Sequence, residues 1–145
     1  MRAESWIEEA RAAGAEVATG GVRSGSFVAP TVLVEPPEHL RCVAEEAFAP
    51  LVTLHAYDEL AGAIERANRS RYALNAAIFT NDLREAFEAV ETLEAGTVLV
   101  NQSSAFRADH LPYGGLRESG LGREGLRYAI EEMTEPRAFI FRPFP

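Results

Sequence analysis

The residue types best suited to chemistry gather in one stretch, Val98 to Gly125, which reads VLVNQSSAFRADHLPYGGLRESGLGREG. Its start, Thr97-Val98-Leu99-Val100, is β-branched and apolar and predicts a buried strand. The chain then opens into Asn101-Gln102-Ser103-Ser104, followed by Phe106, Arg107 and Tyr113 and by a run of glycines. A strand ending in a long, glycine-rich loop of mixed side chains is where α/β proteins place ligands. Phe106 and Tyr113 can wall a cleft, and Arg107 can meet an anionic group on a substrate. The alternative for Arg107 is a surface pair with Asp109. Glu124 opens the next helix after Gly122, where the helix N-terminus favours a carboxylate.

A second stretch, Glu45-Glu46-Ala47-Phe48-Ala49-Pro50, is acidic and aromatic. On its residues alone it reads as a solvated acidic turn with Phe48 in the core. Elsewhere the sequence mostly excludes. One cysteine, Cys42, rules out an intramolecular disulfide and a four-cysteine zinc site. His39, His55 and His110 lack ligand spacing, and no metal is assigned to them. All 14 basic residues are arginine, so the chain supplies neither a Schiff-base nor a P-loop lysine. A net charge of −8 argues against nucleic acid and anionic membranes. No apolar run approaches the roughly 18 residues of a membrane span. The first residues lack a signal-peptide core, so the expected location is the cytoplasm.

With 145 residues, 47% of them apolar and 25% charged, the chain suits one soluble domain. Ser5 to Gly14 predicts a helix, with Ser5 as N-cap, Glu8 as its capping-box partner and Gly14 as the stop. Ala15 to Ala18 predicts a short strand. Phe27 to Val34 predicts a strand interrupted by Pro30, hence an edge strand or a bulge. His39 to Ala44 is a connector, and Leu51 to Ala56 a strand. Asp58 to Asn68 predicts a helix capped by Asp58, with Leu60, Ile64 and Ala67 on one face. Ala76 to Thr80 is a strand, and Asp82 caps a helix to Leu93 with Leu83, Phe87, Val90 and Leu93 in register. Strand and helix thus alternate from Leu51 to Val100. The expectation is an α/β fold with a mostly parallel sheet and flanking helices. Gly125 to Met133 predicts a last helix, and Arg137 to Arg142 a last strand with exposed aromatics.

The ordered motifs resemble those of the aldehyde dehydrogenase superfamily. Glu45 to Pro50 is similar to its EE-x-F-G-P motif, with Ala49 in the glycine's place. Ala29-Pro30-Thr31-Val32, Ala67-Asn68, Tyr72-Ala73-Leu74, Ala76 to Thr80, Ala95 to Val98 with Asn101, Pro112 to Gly115, Ser119-Gly120 and Gly122-Arg123-Glu124 follow in the family's order. Each is weak alone; the ordered set is specific and covers nearly the whole chain. Arg117 stands where the family usually has lysine. If the replaced glycine has φ > 0, Ala49 costs roughly 1 kcal/mol and shifts the loop.

The resemblance implies the C-terminal part of such an enzyme: residues 1–136 as a partial catalytic domain and 137–145 as a terminal oligomerisation strand. It implies NAD(P)-dependent oxidation of an aldehyde to an acid through a cysteine thiohemiacetal, hydride transfer and thioester hydrolysis. The family's nucleophilic cysteine, its general-base glutamate and its cofactor domain would lie upstream, and Cys42 does not align with the nucleophile. Glu46 would accept hydrogen bonds from a cofactor ribose, and Phe48 would pack beside the nicotinamide of NAD or NADP. Ser103, Ser104, Phe106, Arg107 and Tyr113 would line the substrate channel, and Glu124 would belong to a proton relay or merely cap a helix. The Phe-Arg-x-Asp-His-x-Pro-Tyr-Gly-Gly run resembles the branch acting on small hydroxy- or phosphorylated aldehydes. The isolated chain is expected to be inactive and to form a homo-oligomer through its terminal strand. Two alternatives stand beside this: a non-catalytic module or gene remnant that self-associates, and a split enzyme completed by a separate N-terminal polypeptide.

Overall fold

The computed structural model describes residues 2–144; Met1 and Pro145 lie outside the described residues. The chain divides into two compact units, residues 1–63 and 64–145. The first begins with α1 (Arg2–Ala12), a helix built on Ala3, Trp6, Ile7 and Ala10, all buried. That i, i+3, i+4, i+7 spacing starts a turn before Ser5, so the helix does too. Ser5 is therefore not the N-cap: its hydroxyl donates to the Arg2 carbonyl at 2.8 Å. Gly14 does end the helix. Its φ of 90° lets Gly14 N–H reach the Arg11 carbonyl and Ala15 N–H the Ala10 carbonyl, the paired bonds of a Schellman stop.

Three strands follow as one sheet in the order β1 (Glu16–Thr19), β4 (Thr31–Val34), β5 (Leu51–Leu54), with β2 (Arg23–Ser24) and β3 (Phe27–Val28) as a separate hairpin. β1 and β4 are antiparallel, β4 and β5 parallel. Pro30 breaks the predicted strand in two, but β4 occupies the centre of its sheet rather than an edge. Proline sits just outside the ladder, where its missing N–H is not needed. The connector after β4 carries one helical turn, α2 (Arg41–Ala44). Trp6, Ala10, Ala15, Leu33, Leu40 and Cys42 form the core of this unit.

Helix α3 (Leu60–Asn68) starts two residues after Asp58: the Glu59 carbonyl takes its first hydrogen bonds, and Ile64 is its buried residue while Ala67 is exposed. Beyond it, β6 (Tyr72–Ala73) pairs antiparallel with β9 (Leu116–Arg117). β7 (Asn75–Ile78) and β8 (Thr97–Val100) pair in parallel around α4 (Leu83–Thr92). Asp82 caps α4 as predicted, its side chain accepting from Arg84 N–H at 2.7 Å. The helix buries Ala86 and Ala89, not the predicted stripe: Leu83, Phe87 and Val90 are exposed. The fold is α/β as expected, but the expected mostly parallel sheet is divided. β5 and β7 belong to different sheets, so parallel pairing occurs twice, each time across a helix. Helix α5 (Leu126–Glu132) ends the regular structure. Arg137 to Arg142 is not a strand among the described residues, and Phe139, Ile140 and Phe141 stand in solvent. A strand exists only through its ladder partner, and no described strand runs beside this segment.

Candidate functional site

The loop Glu45 to Pro50 is held at both ends. Thr31 N–H, at the start of β4, donates to the Pro50 carbonyl at 2.8 Å. Arg2 donates from Nη2 to the Ala47 carbonyl at 2.7 Å, while its guanidinium lies 5.3 Å from the centre of the Trp6 ring. Between these ties Phe48 adopts φ 46°, and 85% of the residue is exposed. Phe48 is thus not a core residue. It forms a rim of a shallow cleft shared with Arg2, Ser26, Val28 and Pro50. Ala49 does not occupy the left-handed region; the positive φ falls on Phe48, and the alanine carries no such strain. Glu46 is exposed, and its carboxylate makes no hydrogen bond or ion pair with the described residues. Glu46 does not line the Phe48 cleft; the loop offers a free carboxylate and an outward aromatic ring two residues apart in sequence.

The second loop leaves β8 at Asn101, whose side chain grips the backbone of Thr80 from both sides. Further on, the loop passes back over the start of β8. A Cβ at Gly96 would stand 1.8 Å from the Gly114 carbonyl oxygen, so only glycine allows this crossing. The result is a cleft of about 250 Å³ between β8 and the loop, lined by Val98, Val100, Phe106, Arg107, Leu111 and Tyr113.

Three of the five predicted channel residues, Phe106, Arg107 and Tyr113, therefore meet in one cleft. Ser103 and Ser104 do not line it. Ser103 forms a local turn, its hydroxyl accepting from Ala105 N–H, and the Ser104 carbonyl is taken by Asn75 Nδ2 at 2.8 Å. Arg107 pairs with Glu124, not with Asp109: Nη2 lies 2.6 Å from Glu124 Oε2. The guanidinium also lies 4.5 Å from the centre of the Tyr113 ring. Tyr113 and Glu124 are themselves joined by two backbone hydrogen bonds, of 3.0 and 2.6 Å. Glu124 does not cap α5, whose N-cap is Gly125; its carboxylate turns to Arg107.

Cys42 is buried, and burial pushes its thiol above the ordinary range, with Glu9 adding to the rise and a backbone hydrogen bond opposing it. Such a thiol is a poor nucleophile. Among the described residues no three His, Cys, Asp or Glu side chains form a metal-holding group, and no helix is long and apolar enough to cross a membrane. Sequence reasoning missed Arg2 and Asn75, the residues that tie the two loops down. Neither lies in a motif that announces a contact 45 or 29 residues away.

The sequence model described as the aldehyde dehydrogenase family matches residues 1–139. Among curated proteins, the 3-sulfolactaldehyde dehydrogenase of Priestia aryabhattai is 45% identical over 139 residues, covering 96% of this chain and 29% of its own length. Aldehyde dehydrogenase 21 of Physcomitrella patens, solved with its reaction product succinate, superposes with a TM-score of 0.90 at 43% identity, over 92% of this chain and 28% of its own. The NADP-bound glyceraldehyde-3-phosphate dehydrogenase GapN of Methanocaldococcus jannaschii gives 0.84 at 40% identity, over 90% and 28%. The chain thus spans less than a third of the length of these relatives.

Proposed function

The chain belongs to the aldehyde dehydrogenase family, and from that premise we propose that it is the C-terminal portion of an NAD(P)-dependent enzyme oxidising short aldehydes that carry an anionic group. The observation carrying the substrate class is Arg107, which presents a cation inside an aromatic cleft. The three relatives named above act on or bind a sulfonated, a phosphorylated and a carboxylated compound. One fixed guanidinium satisfies all three anions. Phe106 and Tyr113 wall the aldehyde's carbon chain. On the other loop Glu46 receives the ribose hydroxyls, and Phe48 lies against the nicotinamide ring, which accepts hydride when bound. Glu124 remains a candidate for moving a proton, with its carboxylate near the same cleft.

Catalysis requires a separate source of the nucleophile, because Cys42 is buried and its thiol raised. Exposed apolar side chains support incompleteness. Phe48 in the first unit, and Leu83, Phe87 and Val90 on α4 in the second, stand in solvent. Such faces suit covering by upstream segments of the same enzyme or by a separate polypeptide carrying them.

A second reading, a non-catalytic module that assembles with itself, is favoured by the terminal segment, where Phe139, Ile140 and Phe141 are 86%, 90% and 74% exposed. Such a segment is ready to add to a sheet of another copy. Assay of the purified chain with NAD or NADP and a panel of small aldehydes is expected to give no turnover; turnover would overturn the portion reading. Light scattering and NAD titration of the same sample separate the alternatives. An oligomer that binds no cofactor means an assembly-competent portion whose site needs the missing segments, and measurable NAD binding overturns the incomplete-site reading and directs the search to a catalytic partner.

A further inference from the structure

Arg107, Tyr113 and Glu124 form a closed unit at the mouth of the unit-two cleft. The backbones of Tyr113 and Glu124 are paired, the Tyr113 ring lies against the Arg107 guanidinium, and the Glu124 carboxylate is bonded to Arg107 Nη2. Glu124 uses one of the five N–H donors on that guanidinium. The carboxylate therefore already occupies the partner position that an anionic substrate group would seek. It also cancels the cation's charge, so an incoming anion meets a neutral pair, not a free positive centre.

We propose that Glu124 is a built-in stand-in for the substrate's anion: its carboxylate competes for Arg107 and sets how strongly a cleft-bound ligand must bind Arg107 to be retained. This rests on the reading of Arg107 as the contact for an anionic substrate. Its consequence is selectivity. A ligand whose charged group forms two parallel bonds to the fork, as a carboxylate, sulfonate or phosphate does, displaces or outcompetes a carboxylate held by one bond. A neutral aldehyde leaves the internal pair intact and gains nothing from Arg107. The pair is half-exposed on both sides, with side-chain exposures of 47% and 65%. The barrier it sets is accordingly modest, the size of an exposed ion pair. Glu124 acts here through Arg107 and so is a positioning residue.

The test is titration of the whole chain with succinate and with methanesulfonate, followed by calorimetry and by the backbone amide resonances of Tyr113 and residue 124, present in every variant, with succinamide as the neutral control. Glu124→Gln is expected to bind both anions about fivefold more tightly than the unaltered chain. Arg107→Gln is expected to lose that binding, and succinamide to give no difference among the three proteins. If Arg107→Gln abolishes binding while Glu124→Gln leaves it unchanged or weakened, the competition is overturned and the Arg107 reading stands. If succinate binds equally with and without Arg107, or binds to none of the proteins, both fall. Should Glu124→Gln lose its native amide spectrum, Glu124→Asp, whose shorter side chain retreats from Arg107, replaces it. A roughly twofold tightening supports the proposal and no change overturns it.

Discussion

Asn101 holds both backbone polar groups of a single residue, Thr80: its Nδ2 donates to the Thr80 carbonyl at 2.8 Å and its Oδ1 accepts from the Thr80 N–H at 2.9 Å. A primary amide is the side chain that mirrors a peptide group in this way, donor for acceptor. The clamp fastens the ends of β7 and β8 where the cleft loop departs. Asn101 also has φ 54°, a conformation asparagine tolerates better than most residues. Asn101→Ala is expected to destabilise the chain by about 2 kcal/mol, combining two lost hydrogen bonds with left-handed strain. Asn101→Gly keeps the first loss and relieves the second, so its denaturation midpoint should fall between those of the parent and the alanine variant.

Arg117 gathers one end of α3. Its Nη1 donates to the Asn68 carbonyl at 2.6 Å and also to the Ser70 carbonyl, and its Nη2 pairs with Glu94. Only a planar fork reaches these acceptors together. Arg117→Lys, the residue usual in the family at this place, should lower stability by about 1 kcal/mol in urea denaturation, with the cleft residues unmoved.

The Cys42 thiol should react slowly with a disulfide reagent at mildly alkaline pH and at once when the chain is unfolded. Burial raises its folded pKa, so the folded chain holds this proton when the unfolded chain has begun to release it. Stability is therefore unaffected by this group below the ordinary thiol range of about 8.5 and falls as pH rises from there through the raised folded value. Cys42→Ser should flatten that alkaline decline, measured as denaturation midpoint against pH.

Phe87 is 65% exposed on the outer face of α4 with Leu83 and Val90 beside it. Replacing it by glutamate should change the stability of the isolated chain by less than about 0.5 kcal/mol, as at an ordinary surface position. It should also reduce self-association seen by light scattering. A large loss of stability would mean that the ring packs within its own chain.

Short-range signals in the sequence survived well. Asp82 caps its helix and Gly14 stops another, because both effects are complete within five residues. The strands β4, β5 and β8 sit within the predicted apolar runs for the same reason, and β7 starts one residue before its run and ends two residues short of its end. Long-range ones failed in instructive ways. The alternation from Leu51 to Val100 says that parallel strands flank helices, but not which strand is whose neighbour, so one expected sheet became two. The Leu83-Phe87-Val90 stripe marks apolar character without naming what covers it; α4 buries Ala86 and Ala89 instead. At the cleft, Asp109 was the near acid in sequence. Loop closure brought Glu124 to Arg107 from 17 residues away. No periodicity encodes that meeting.

The backward-turned backbone at Phe48 has one more effect. A bulky residue rarely takes positive φ, and Arg2 and Thr31 fasten the loop around it. The ring is thus aimed at solvent before any partner arrives. A flat molecule stacking on it would meet an ordered backbone, so the torsions left to freeze are the ring's own.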